Sequence, residues 1–422
     1  MRGSTEPSHS TSGQAQARAS RRLPGVEGLR AVAAVSILVY HAWIYGSPDG
    51  LPTILGPLSR FVLPHLGAGV LLFFALSGYL LYRPLASAIV QAAPLPSPRN
   101  YFRNRALRIF PAYWTVLVVT GLVLPAGLVW SSSTTLELGR LIDHPQSLLN
   151  DLLLVQNYFR GSMDTGIGPA WTLAVEMHFY LILPVFGLLA ARLSRRLKTA
   201  KGRACAALVP AALLAWIGLI GAWVEPLTRA WPDTYWNSVL VRGFFYHADL
   251  FTFGIVVAVA HVALQEGLWR PSRAWRWGAW SGLIACTGLA VWLTDRGTVG
   301  FYQGAVEYET LVSIACALLV ALVVLPVAQS ERPSTLLRAL ETRPVVFVGL
   351  VSYSLFLWHE PLIRSLQAHG LTLGGTSGFF TSLVLFLVVS LAAASLTYRY
   401  VEKPFLRKKR VISILPLAPG HE

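Results

Sequence analysis

GFFTSLVLFLVVSLAAASLTYRYV, residues Gly378 to Val401, carries no charged side chain until Arg399. At 1.5 Å per residue, about 20 such residues cross the ~30 Å hydrocarbon core of a bilayer. Working back toward the N-terminus, nine further apolar runs lie near Arg30 to Gly46, Leu66 to Tyr82, Ile109 to Trp130, Pro169 to Ala191, Ala204 to Val224, Val241 to Leu264, Gly278 to Thr294, Ala305 to Ala328 and Val345 to Gln367. The whole chain of 422 residues is 54% hydrophobic and 13% charged, with a mean hydropathy of +0.53. Soluble domains carry roughly 25% charged residues, so this chain cannot cover several separate cores with polar surface. The predicted fold is an all-α integral membrane protein of about ten transmembrane helices.

The formal net charge of +15 and a pI near 10 are also what a nucleic-acid-binding protein shows. The positions of the charges decide between the two. Counted over alternate loops, 28 of the 35 Lys and Arg fall on the side of the N-terminus, in clusters such as Arg99 to Arg108, Arg192 to Arg203 and Arg399 to Arg410. The other side holds 7: Arg60, Arg140, Arg160, Arg229, Arg242, Arg296 and Arg364. That asymmetry obeys the positive-inside rule for ten helices with both termini cytoplasmic, and it makes the basic balance a topological signal in a multi-pass protein of the cell membrane. Residues 1–22, rich in Ser, Gln and Ala, read as a disordered cytoplasmic tail without a cleavable signal, 23–405 as the transmembrane domain, and 406–422 as a basic cytoplasmic tail. The loop Ser131 to Gly168 is predicted to lie outside, with a short interfacial helix over Leu148 to Val155.

Ionisable residues inside spans are costly and point to function by default. In LPGVEGLRAVAAVSILVYHAW, Arg30 and His41 stand eleven residues apart, which places them on one helical face about 16 Å apart. Arg30 is then expected near the inner boundary and His41 near the midplane, where His41 reads equally as a core histidine or a functional one. RNYFRNRALRIFPAYW, leading from an inner loop into the third helix, puts Arg105 and Arg108 on one face, either as a cationic clamp for phosphates or as topological charge. GPAWTLAVEMHFYLILP buries Glu176 at about the depth expected of His41, with Tyr180 one turn below it and His178 turned away. VGLVSYSLFLWHEPL places His359 near mid-depth, where it rivals His41 as a proton acceptor. His247, Asp249, Glu307 and Glu309 are either partners in a polar cavity or outer-end residues. The three cysteines, Cys205, Cys286 and Cys316, lie far apart, and no metal-ligand spacing, dinucleotide fingerprint or nucleophile elbow is present.

At these residues the chain resembles the membrane-bound acyltransferase family 3, which contains O-antigen and nodulation-factor O-acetylases and macrolide acyltransferases. The resemblance runs from Leu23 to about Phe405 and rests on the Arg30 to His41 spacing, FFALSGYLLYR, the Arg105 and Arg108 pair before IFPAYW, WTLAVEMHFYLILP, YSLFLWHEPL and the closing YRYVEKPF. It implies O-acyl transfer, acetyl by default, from cytoplasmic acyl-CoA as a co-substrate to a hydroxyl of a glycan, glycolipid or macrolide-type acceptor, with no bound cofactor and no metal. His41 would be the catalytic base with Glu176 orienting it or stabilising its cation. Arg30, Arg105 and Arg108 would bind the donor, and Trp171, Tyr180 and His359 the acceptor. A transporter or flippase of a lipid-linked saccharide is the alternative, since midplane ionisable residues also serve proton relays.

Overall fold

The structure, a computed structural model, describes residues 23–46, 56–132, 135–295, 306–325 and 334–409. The tail expected over 1–22 and most of the one after 406 lie outside these residues. Among the described residues ten helices are long and apolar enough to cross a membrane. They are α1 (Val26–Tyr45), α2 (Leu63–Val90), α3 (Pro98–Val123), α4 (Gly168–Ser194), α5 (Ala200–Arg229), α6 (Phe244–Gln265), α7 (Arg273–Asp295), α8 (Val306–Val324), α9 (Arg343–Ala368) and α10 (Gly375–Arg407).

Helices in lipid associate by close packing, because tails are as apolar as leucine, and small residues let backbones approach. Two crossings show this. A Cβ on Gly349 of α9 would lie 1.9 Å from the Glu27 carbonyl of α1, and one on Gly254 of α6 would lie 2.0 Å from the Ala75 carbonyl of α2. Between these pairs, α1, α2, α3, α4 and α9 enclose the polar interior. Buried tyrosines here find backbone acceptors: Tyr82 donates to Ala207, Tyr113 to Asp151 and Tyr353 to Ile109. By contrast α7 is almost bare, packs on α8, and exposes Trp277, as α5 exposes Trp223.

Two spans differ from the sequence expectation in ways that matter. The helix α1 begins at Val26, not Arg30, which moves its middle back to Val35 and Ser36 and leaves His41 four residues, about 6 Å, from its last residue Tyr45. The polar start GVEG is helical because Gly28 and Glu27 are packed against Leu340 and Gly349. The helix α3 begins eleven residues early, at Pro98, a favoured first helical residue, and ends in a π-turn at Val119–Val123 before Pro125. Arg105 and Arg108 therefore belong to the helix itself.

Beyond α3 the chain forms a two-stranded hairpin, β1 (Gly127–Trp130) against β2 (Leu136–Gly139), antiparallel with Leu128 opposite Leu138. A short helix, Pro145–Leu152, follows where an interfacial helix was expected. This loop is fastened by Asp151, which is fully buried, accepts from the Thr165 hydroxyl at 3.0 Å and lies against Gly166, whose φ of 72° suits glycine. Burial pushes the Asp151 carboxyl well above the usual carboxylate range, so the folded loop favours the neutral acid. A folded-state pKa above the unfolded value gives stability that is full below about pH 4 and is lost as pH rises toward the folded value. Asp151→Asn, neutral at every pH, is expected to abolish that slope. Protection factors of the amides in residues 141–168, with the intrinsic base catalysis of exchange divided out, should fall as pH rises in the parent chain and stay level in the variant.

Candidate active site

Two cavities lie back to back in the bundle. The first, about 340 Å³, opens on the face of the 124–168 loop and is lined by His41, Tyr45, Trp171, Arg242, His247, Tyr308, Glu309, Glu360 and Arg364 among others. The second, about 120 Å³, is lined by Arg30, Ser77, Arg105, Arg108, Glu176, Tyr180 and Tyr353. Val70, Phe74, Thr172 and Phe356 line both and form the wall between them.

In the first cavity the α1–α9 crossing brings His41 onto His359. Their rings stack at 4.9 Å and 16°, and His41 Nδ1 lies 2.7 Å from His359 Nε2. His359 is 1% exposed, and its Nδ1 lies 3.3 Å from the Leu355 carbonyl one turn back. A carbonyl only accepts, so His359 Nδ1 donates to it, His359 Nε2 accepts, and His41 Nδ1 donates to that nitrogen. His41 Nε2 is left as the lone pair able to take a proton. Glu360 Oε2 stands 3.8 Å from Nε2, beyond hydrogen-bond length but close enough to stabilise a cation formed there. Arg364, one turn on, clamps Glu360 at 2.7 Å and lies 3.5 Å over the ring of Tyr45, which stacks on His41. Gly168 backs the carboxylate so closely that a Cβ would lie 2.5 Å from Glu360 Oε1.

The second cavity gathers the arginines. Arg30 Nε donates to Ser352 Oγ at 3.2 Å. Arg108 pairs with Glu402, which also accepts from Ser354 at 2.9 Å. Glu402 arrives from a π-turn, Tyr398–Glu402, a local widening common at functional sites. Arg105 and Arg108 lie over the rings of Tyr180 and Tyr353 at 5.9 and 5.3 Å. Arg105 Nε and Arg108 Nη2 are buried donors with no protein acceptor. Such donors call for an anion. Charge crowding is felt beyond α10, where burial and the guanidiniums of Arg108, Arg105 and Arg30 push the Lys409 ammonium down to about 6.

The expected site residues are thus only partly brought together. Arg30, Arg105 and Arg108 converge, while Arg103 is exposed. Glu176 does not meet His41: its carboxylate accepts from Ser77 inside the arginine cavity. The Gly168 end of α4 and the Tyr45 end of α1 lie within one residue of expectation, but similar depth does not make two faces meet: Glu176 faces Ser77 and His41 faces His359. Tyr180 falls in the same arginine cavity, away from the face where it was expected to touch an acceptor. His359 is behind His41 rather than on the cavity surface. Trp171 does line the first cavity, with Arg242 at 4.9 Å over its ring. Glu360, Arg364 and Glu402 were missed as site residues, although a carboxylate inside the span YSLFLWHEPL and an Arg four residues on were the signal. Among the described residues no group of three or more His, Cys, Asp or Glu is placed to hold a metal.

Because Glu402 is 1% exposed, Glu402→Ala strands the Arg108 guanidinium and is expected to cost ~3–5 kcal/mol. Removing both charges in Arg108→Ala/Glu402→Ala should cost less than the sum of the single changes. Thermal unfolding in detergent checks this; strict additivity would show the pair is not coupled.

Residues 23–399 match a family model described as an acyltransferase domain. YrhL of Bacillus subtilis, named for peptidoglycan O-acetylation, is 26% identical over 400 residues, covering 91% of this chain and 55% of its own. The O-acetyltransferase OatA of Staphylococcus aureus is 25% identical over 416 residues, covering 95% of this chain and 60% of its own. The chain therefore spans little more than half the length of these relatives. No solved structure matches it. With nearly all of its helical bundle inside the match, the chain belongs to the acyltransferase 3 family of multi-pass membrane proteins.

Proposed function

We propose that this chain is an O-acyltransferase that moves an acyl group, acetyl by default, from cytoplasmic acyl-CoA to a hydroxyl of a cell-wall glycan on the opposite face. The observation that carries the reading is the pair of cavities set back to back, one with unpartnered guanidinium donors and one with an imidazole nitrogen free to accept a proton. The names of the relatives supply the acceptor class. The excess of Lys and Arg on the arginine-cavity side supports its facing the cytoplasm.

In this reading Arg30, Arg105 and Arg108 hold the donor phosphates by charge-assisted hydrogen bonds. The cavity behind them is too small for a nucleotide, so only the extended thioester arm runs inward, between Phe74 and Phe356, to His41. The acceptor hydroxyl enters from the first cavity. His41 Nε2 takes its proton while the oxygen bonds to the thioester carbonyl carbon; the C–S bond then breaks, and the proton leaves with the thiolate. Glu360 stabilises the transient imidazolium, and His359 holds its orientation as the third member of a triad does. Glu176 and Ser77 lie on the donor arm's path.

The purified chain in detergent, given acetyl-CoA and soluble peptidoglycan glycan, is expected to release free thiol only when the glycan is present. No acceptor-dependent thiol with any acyl donor or glycan tried would overturn the reading. His41→Ala should lower kcat about 10³-fold with coenzyme A binding retained, and Arg108→Ala should raise the donor KM about tenfold or more. Acyl-enzyme trapped with donor alone would replace direct transfer by a covalent route.

A further inference from the structure

The first cavity contains a second histidine that the proposed chemistry leaves unused. His247 is 3% exposed, at the end of the first turn of α6. Its Nε2 lies 2.8 Å from the Val241 carbonyl, so that nitrogen carries the proton and donates. In the neutral ring Nδ1 is then a buried lone pair, and it has no hydrogen-bond partner. What faces it is another acceptor, Glu309 Oε2 of α8, at 3.4 Å. With the ring neutral, two acceptors face each other in the cavity wall, which calls for a donor between them: a second proton on the imidazole, making an ion pair with Glu309, or donors of a bound molecule.

The other charged neighbours do not resolve the mismatch. Asp249 is directed at α5, where a Cβ on Gly218 would lie 2.5 Å from its carboxylate, and Glu307 is exposed. Beside the pair stands Trp171, its ring 5.3 Å from that of His247. Arg242, itself held by Asp164 at 3.1 Å, lies over the Trp171 ring at 4.9 Å and fixes it as a platform. An aromatic plate beside two adjacent hydrogen-bond acceptors matches a pyranose ring: the plate takes the C–H face, and the acceptors take donors on neighbouring ring carbons.

We propose that His247 Nδ1 and the Glu309 carboxylate form a paired-acceptor subsite for two vicinal donors of the acceptor sugar, either two hydroxyls or a hydroxyl and an acetamido N–H. With Trp171 it decides which hydroxyl of the sugar is presented to His41. This inference rests on the acyl-transfer reading. The pair specifies rather than catalyses: it touches the sugar away from the bond being made.

The test uses the full chain in detergent with acetyl-CoA and methyl N-acetylglucosaminide, beside its 2-deoxy, 3-deoxy and 4-deoxy analogues, following acceptor-dependent thiol release. In the parent chain, removing either of two adjacent donors should raise the acceptor KM about tenfold with kcat little changed. In His247→Phe the parent sugar should already show that KM, and the same deoxy analogues should cost almost nothing more. Glu309→Gln, which keeps the shape, should blunt the loss for one of the two positions. Deoxy losses that persist undiminished in both variants, or variants that alter only kcat and the unfolding midpoint, would overturn the subsite. Failure of the parent chain to acylate any of these sugars would instead count against the acyl-transfer reading itself, since that result does not involve His247.

Discussion

The hydrogen bond between His41 and His359 depends on how closely α1 and α9 cross, and much of the interior depends on it in turn. Gly349 lets the backbones touch at the Glu27 end, and about 15 Å further along α9 the two helices still lie side by side where the imidazoles stack at 4.9 Å. The same crossing places Ser352 against Arg30 two turns away. One helix pair thus sets the proton-accepting nitrogen at one end and an anion-seeking guanidinium at the other. The Leu355 carbonyl, fixed by helix geometry, selects the His359 tautomer, and that tautomer selects the one at His41. The chain of causes runs from a glycine to a lone pair without any flexible link.

Charge in an apolar bundle has to be matched locally, and the two cavities do this differently. The charges that flank His41 meet partners: Glu360 with Arg364, Arg242 with Asp164. The imidazole therefore works among neutralised neighbours and keeps an unpaired nitrogen. Around Arg108 the matching is incomplete. Glu402 and Glu176 stand among three guanidiniums, and buried donors remain on Arg105 and Arg108. Leaving such donors without acceptors is unfavourable, so the arrangement favours whatever brings phosphate oxygens to them. The difference between an imidazole flanked by paired charges and guanidiniums with stranded donors is the physical ground for proposing the acid–base step at one cavity and anion binding at the other.

Much of this was legible in the sequence. Ten apolar runs gave ten helices, and residues eleven apart on one helix were placed on one face, so Arg30 and His41 fell at opposite ends of a common groove. Arg105 and Arg108 were recognised from their three-residue spacing. What failed was depth. Hydropathy does not locate the polar ends of a span: GVEG is helical where Gly28 packs on Leu340, and PRNYFRNR, exposed apart from positions such as Tyr101 and Asn104, is a polar start opened by Pro98. The late start expected for α1 moved His41 toward the centre of its span, and similar depth alone set Glu176 beside it. Pairings between helices were also beyond reach: nothing in the strings WHEP and WTLAVE says that the carboxylate next to His41 is Glu360. A helix period relates residues within one element, and only packing relates elements.

The exchange of Glu176 for Glu360 changes the chemistry as well as the geometry. A carboxylate hydrogen-bonded to Nδ1 would make His41 the middle of a charged triad and raise its basicity in the resting state. Here Nδ1 is held by a neutral imidazole, and the carboxylate stands 3.8 Å from the other nitrogen, on the side where the proton arrives. In the proposed transfer Glu360 would interact weakly with the neutral ring and strongly with the cation, which would concentrate its effect in the transition state. Arg364, pulling Glu360 the other way, holds the carboxylate off Nε2.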